Sequence, residues 1–309
     1  MLVRRIARPE LQRERLELPD GDFLDLDYTA NLSTSPLEVP LIIVLHGLEG
    51  SSDSGYARGL LQALQQRSWV GVVMHFRGCS GEPNRLRRSY NAGDTGDLAY
   101  VIATLQARWP SKPLAAVGYS LGANVLLNYL AEQGGRCVLK AAVAVSVPFK
   151  LEAAAERMRH GLSRLYQWHL LRSMRASYKA KFANRKDAPV PLDAVHQLRD
   201  FFQFDDQITA PLHGYQGVDD YYRRASCRQY LYQIETPTLI LHARNDPFMY
   251  VDTAPTAKEL GAGMRLELTS SGGHVGFISG AWPWRAQYWL EQRIPGFLSD
   301  VFSVENGLI

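Results

Sequence analysis

Residues 114–133 read LAAVGYSLGANVLLNYLAEQ: a short apolar run, the pentapeptide Gly118-Tyr119-Ser120-Leu121-Gly122, then a run of helix formers. Strand, G-x-S-x-G and helix in that order predict a tight strand-to-helix turn that forces the serine into a strained backbone conformation. Glycines at 118 and 122 leave room for the neighbouring strand and helix to close in. The turn lifts the Ser120 hydroxyl above the end of the sheet, at a helix N-terminus whose free N–H groups favour developing negative charge. In a chain with 25 glycines the bare pentapeptide carries little weight, and a glycine-rich structural turn is the competing reading. The flanking strand and helix favour the chemical one.

A serine hydroxyl needs a base to take its proton and a carboxylate to orient that base. In this fold the order along the chain is Ser, then Asp or Glu, then His. The run TLILHA at 238–243 leads into Arg244-Asn245-Asp246-Pro247, which sets Asp246 in the loop at a strand's C-terminal end, where open α/β sheets gather their functional groups. Asp252 is the rival. Of the eight histidines only His274 lies beyond Asp246, in the loop Ser270-Ser271-Gly272-Gly273-His274 that follows MRLELT. The expected triad is therefore Ser120, Asp246 and His274. The expected oxyanion donors are backbone N–H groups: Leu121, next to the nucleophile, and Leu48 in His46-Gly47-Leu48-Glu49-Gly50, the loop after the first buried run. His46 precedes that loop and reads as a structural hydrogen-bonder.

Along the rest of the chain, short apolar runs alternate with helix-period segments, the pattern of a mainly parallel sheet with helices on both faces. An opening hairpin at 13–18 and 23–28 precedes buried strands at 41–45, 70–75, 114–119, 140–146, 238–243 and 264–269. Helices are expected at about 56–67, 94–108, 121–133, 253–260 and 283–293. The stretch 148–235 has no convincing buried strand but has helical spacing, as in Leu162, Leu165, Tyr166, His169, Leu170 and Met174. It reads as an inserted helical lid between two parts of one core, 1–147 and 236–309.

The 309 residues, 46% hydrophobic and 21% charged, suit one elaborated α/β core. A net charge of +3 does not argue for a polyanionic partner, and no nucleic-acid partner is expected. Between 150 and 186 there are ten Lys or Arg against Glu152 and Glu156, about +8, so the lid is basic and peripheral membrane contact through it is an expectation. The aromatic run Trp282, Trp284, Tyr288 and Trp289 reads as packing of the last helix on the sheet. No secretion signal or spanning segment is visible, and Cys79, Cys137 and Cys227 lack a C-x-x-C pair, which points to the cytoplasm. With no P-loop, no G-x-G-x-x-G after a strand and no H-E-x-x-H, neither cofactor nor metal is expected.

The segments HGLEGSS (46–52), FRGCSGEPNRLRRSYNAGDTGDL (76–98), GYSLGAN (118–124), DDQITAPLHGYQGVDDYYRRAS (205–226), NDPFM (245–249) and GGHVGF (272–277) resemble the YheT-like hydrolases, the AB-hydrolase 4 family. The resemblance covers nearly the whole chain. It implies an α/β-hydrolase fold, a Ser120–Asp246–His274 relay, and carboxylesterase activity on short or medium acyl esters. A small-molecule or lipid ester is the expected substrate. An acyltransferase or lipase using the same residues is one alternative, and a non-catalytic binding protein of this fold is another. Arg77, Asn84 and Asp94 of the distinctive block are expected to brace the loop beside the site.

Overall fold

The computed structural model describes residues 8–30, 35–36, 38–280 and 286–305. Among these, eight strands form one sheet: β1 (Gln12–Glu17), β2 (Phe23–Tyr28), β3 (Leu41–Leu45), β4 (Val70–Met74), β5 (Leu114–Tyr119), β6 (Ala141–Val145), β7 (Thr238–Ala243) and β8 (Met264–Thr269). Their spatial order is β1-β2-β4-β3-β5-β6-β7-β8. The β1–β2 and β2–β4 pairings are antiparallel, and the rest are parallel. Every expected strand is present to within a residue or so at its ends.

Strand β3, LIIVL, is buried at every position because both faces of the sheet are covered. Leu41, Ile43 and Leu45 join the cluster that contains α2 (Gly96–Arg108) and α3 (Leu121–Gln133), through Leu98, Ile102, Leu126 and Leu130. Ile42 and Val44 point the other way, into the cluster that contains α1 (Gly55–Gln65) and α9 (Leu290–Glu305), through Leu60, Leu64, Ile294 and Leu298. The two-residue period of the strand thus feeds two helical layers. Chain order reverses at β3, since β3 leads out to β4 on one side and β4 crosses back to β5 on the other. The crevice over the C-terminal ends of β3 and β5 is the topological switch point.

Between β6 and β7 the chain is helical: α4 (Leu151–Met158), α5 (Ser163–Phe182), α6 (Phe201–Phe204), α7 (Ala210–His213) and α8 (Val218–Ala225), with a π-turn at Asp205–Thr209. Leu171, Met174, Tyr178, Phe182, Phe204 and Ile208 form a small core of their own. A 3-10 segment, Cys227–Gln233, then returns to the sheet, and Cys227 and Leu231 join the main core against α3.

Three local expectations change. No helix spans 253–260; the chain makes only single 3-10 turns at Val251–Thr253 and Ala257–Glu259. Pro255 is the cause, because the residue before a proline is pushed out of the helical region, and Ala254 sits at φ −63°, ψ 138°. The last helix, α9, runs Leu290–Glu305 rather than 283–293. Ahead of it a short strand, β10 (Gln287–Tyr288), pairs with β9 (Ile278–Ser279). Trp282 and Trp284 lie outside the described residues, whereas Trp289 stacks on Phe277 against the sheet. In β2 the alternation of Leu24, Leu26 and Tyr28 with Asp25 and Asp27 is real, yet all six residues are buried. Arg15 and Arg13 cover the acidic face by bidentate pairing with Asp25 and Asp27.

Candidate active site

Strand β5 ends beside β3, with Gly118 paired to Leu45, and the next turn carries Ser120 at φ 52°, ψ −118°. An L-residue is costly there, and the surroundings enforce it. A Cβ on Gly118 would stand 2.6 Å from the Ala123 Cα, and one on Gly122 would stand 2.5 Å from the His46 carbonyl oxygen. Only glycine lets the strand, the turn and α3 approach this closely. Among the described residues six non-glycines have positive φ, and five of them, Glu49, Ser120, Ser146, Val275 and Phe277, lie in the turns that follow β3, β5, β6 and β8. Backbone strain is therefore concentrated past the C-terminal ends of the parallel strands.

Ser120, Asp246 and His274 come together as expected. The Ser120 hydroxyl lies 2.9 Å from His274 Nε2, and His274 Nδ1 lies 2.9 and 3.2 Å from the Asp246 carboxylate oxygens. The Asp246 side chain is 1% exposed and the His274 ring 11%, so the line is shielded on the carboxylate side and open on the serine side. Asp246 also accepts from the N–H of Phe248 at 2.9 Å. Phe248 stacks on the imidazole at 4.0 Å between centroids. Asp252, the rival carboxylate, is exposed in the 3-10 turn and makes no bond to His274.

The loop after β3 has a matching geometry. The N–H of Gly47 donates to the Tyr56 hydroxyl at 2.8 Å, and the N–H of Glu49 to the Tyr90 hydroxyl at 2.9 Å. Among the described residues the N–H between them, that of Leu48, has no acceptor, and neither has that of Leu121. Leu48, Leu121 and Ser120 line one cavity. His46 is structural, as expected. Its Nδ1 donates to the Gly47 carbonyl at 2.7 Å, its Nε2 accepts from the Phe76 N–H at 3.1 Å, and burial pushes its pKa down to about 3, so the ring is neutral.

Ser120 opens on an apolar cavity of about 120 Å³, walled by Pro148, Leu151, Met158, Leu170, Met174 and Phe248. A larger, more polar chamber of about 490 Å³ adjoins it, with Glu49, Asn84, Ser177 and Lys181 in its wall. The two share Leu48, Leu121, Met174, Asp205 and Tyr221. Asp205 belongs to the π-turn, accepts from Thr209 and Tyr222, and has its pKa pushed up to about 6 by burial. The distinctive 76–98 block braces this region. Arg77 makes two bonds of 2.7 Å to Asp97 and one of 2.9 Å to Asp22, Asn84 also donates to Asp22, and Asp94 pairs with Arg88.

Most of the supporting residues carried no signal in the sequence. Asn245 accepts from the N–H groups of Gly272 and Gly273, both at 2.9 Å, tying the Asp246 loop to the His274 loop. The Ser146 hydroxyl accepts from the Val275 N–H at 3.0 Å. Glu49, at φ 55°, accepts from Tyr90, Ser173 and Ser177 and so links the Leu48 loop to α5. Asn245 alone had a possible cue, since it directly precedes Asp246.

A doubly wound sheet with a strained serine at its switch point, hydrogen-bonded to a histidine and an aspartate, defines a class. Residues 40–281 match the model of the alpha/beta hydrolase fold, and the chain belongs to that family. It is 47% identical over 294 residues to YheT of Escherichia coli (strain K12), which carries an esterase designation; the match covers 95% of this chain and 86% of that one. The resemblance to the YheT-like hydrolases is thereby borne out. The human phospholipase ABHD3 is 32% identical over 291 residues, covering 91% of this chain and 71% of that one. The esterase Pf2001 of Pyrococcus furiosus superposes with a TM-score of 0.61 at 18% identity, over 94% of this chain and 91% of that one, a likeness of fold.

Proposed function

We propose that the protein is a serine hydrolase that cleaves carboxylic esters of short or medium acyl chains through an acyl-enzyme. The observation that carries this is the line Ser120–His274–Asp246, with both imidazole nitrogens engaged at 2.9 Å. In this reading His274 Nε2 takes the Ser120 proton as the hydroxyl oxygen attacks the ester carbonyl, and returns it to the leaving alcohol. Water then enters by the same route and releases the acyl group. Asp246 fixes the Nδ1–H tautomer and stabilises the imidazolium. The N–H groups of Leu48 and Leu121, unpaired among the described residues, hold the oxyanion; each such donor is typically worth about 3 kcal/mol in the transition state. The small apolar cavity beside Ser120 supports a short acyl chain. The insertion 148–235 acts as a lid between core segments 1–147 and 236–309, and a cytoplasmic location, resting on the cysteine pattern, belongs to the same proposal.

The test is hydrolysis of p-nitrophenyl butyrate. Ser120→Ala lowers kcat by at least about 10³ with unchanged circular dichroism; wild-type turnover by the alanine variant would overturn the assignment. A lipase or acyltransferase using the same residues is the second reading, favoured by the name of the ABHD3 relatives. Product analysis with and without an added alcohol separates water from an alcohol as acceptor.

A further inference from the structure

Helix α5 is built inside out over its first two turns. Its buried positions there are Ser163 and Gln167, while Leu162, Leu165, Tyr166 and Trp168 are exposed at 79%, 67%, 49% and 58%. Burying a glutamine and a serine while offering two leucines and a tryptophan to water is the reverse of an ordinary surface helix. These side chains also fall within seven consecutive positions, whereas exposed apolar residues are normally scattered. Tyr250 and Val251, exposed at 38% and 46%, follow shortly after Phe248, on which Tyr166 of this tip packs.

Of the basic residues between 150 and 186, Arg175, Lys181 and Arg185 are used internally, while Lys179 and Lys186 are exposed. Arg175 donates to the Leu198 carbonyl, Lys181 to Asn84 and to the Arg88 carbonyl, and Arg185 pairs with Asp187. At the tip, Arg164 and Arg172 are exposed and form no ion pair with any described residue, and Arg172 lies over the Trp168 ring. Free arginines around an apolar, aromatic tip complement a surface that is negative at its face and apolar beneath.

The tip also sits at the mouth of the site. Tyr166 packs on Phe248 at 5.2 Å, Phe248 stacks on His274, and the Ser163 hydroxyl donates to the Pro247 carbonyl at 2.5 Å. We propose that Leu162, Leu165 and Trp168, with Arg164 and Arg172, form the surface by which the protein docks on an anionic lipid bilayer, bringing the mouth of the Ser120 cavity against the lipid. The proposal rests on the ester-hydrolase reading above and adds the partner of that site. Docking buries the three apolar side chains below the head groups while the arginines stay among the lipid phosphates.

The experiment is flotation of the full-length protein with vesicles of phosphatidylcholine alone or with about one-third phosphatidylglycerol. Binding to the anionic vesicles at low salt is expected, with at least about tenfold loss in Leu162→Ser/Leu165→Ser/Trp168→Ser and a comparable loss in Arg164→Glu/Arg172→Glu. Both variants keep wild-type hydrolysis of soluble p-nitrophenyl butyrate, because none of the five side chains lines the Ser120 cavity. That control separates the two readings: its loss in Ser120→Ala alone supports the chemistry whatever the vesicles do. The docking proposal is overturned if wild type does not float with anionic vesicles, or if the triple variant floats like wild type. It is equally overturned if wild type is a dimer that the triple variant converts to monomer, which would assign the surface to a second copy of this chain.

Discussion

His274 is oriented by two contacts of different kinds: the Asp246 carboxylate fixes its tautomer, and the Phe248 ring fixes its plane. Asp246→Asn therefore does more than remove a charge, because the amide can present an N–H to Nδ1 and favour the tautomer that cannot accept the serine proton. The expected loss in kcat is about 10³–10⁴ with a folded protein, read by steady-state kinetics against a thermal melt. Glu49 acts one step removed. As a non-glycine at φ 55°, it takes the local strain and spends its carboxylate on Tyr90, Ser173 and Ser177. Glu49→Ala should free the Leu48 loop and lower kcat about 10- to 100-fold with KM little changed; an unchanged kcat would show that the loop holds itself. That Ser120, Asp246 and His274 meet was legible in the sequence because each sits at a position that the fold dictates. Glu49 was not, because its partners Ser173 and Ser177 lie 124 and 128 positions away and only the folded insertion brings them near.

At the scale of elements, the turn between β5 and α3 has no slack. A Cβ on Gly122 would meet the carbonyl oxygens of His46 at 2.5 Å and Leu45 at 2.7 Å, and both are main-chain atoms that cannot rotate away. Gly122→Ala is expected to destabilise by about 1–3 kcal/mol, seen in urea denaturation, and to reduce activity as Ser120 is displaced. Gly55→Ala, where nothing lies within 4 Å, is the matched control and should cost little. The strands were readable because a parallel sheet covered on both faces leaves continuous apolar runs such as LIIVL and AAVAV. Helix ends were less so. The 253–260 segment has helical composition apart from Pro255, and that one ring outweighs it. The insertion showed as helical from its spacing, while the π-turn at Asp205–Thr209 has no periodic signature and appears only in the backbone.

Across the whole molecule, buried ionisable groups set how stability responds to acid. Burial holds His46 at about 3, and burial with the nearby Arg88, Lys181 and Arg77 holds His213 at about 3. Unfolded histidine titrates near 6.5, so between pH 6.5 and 3 the unfolded chain binds the extra protons and stability falls as pH drops. Asp205, raised to about 6, works the other way below that pH and offsets part of the loss. Lys181, lowered to about 7 by burial, has its window above neutrality and adds little slope below it. The net expectation is a loss on the order of 2 kcal/mol between pH 7 and pH 5, measured by urea midpoints; a flat profile would contradict neutral burial of the two histidines. Below about pH 4 a second loss follows. Burial alone would raise Asp27, but its bonds from Arg13, His75 and Ser52 outweigh that and hold it well below the usual carboxylate range. None of this was legible from composition, since a net charge of +3 says nothing about which groups are buried. Under the proposed function, folding has made one hydroxyl of this chain, that of Ser120, an activated nucleophile. The most direct test of this is reaction with a fluorophosphonate followed by peptide mass mapping: a single adduct on Ser120, abolished in His274→Ala, is the predicted result, and an unlabelled protein or an adduct elsewhere would contradict it.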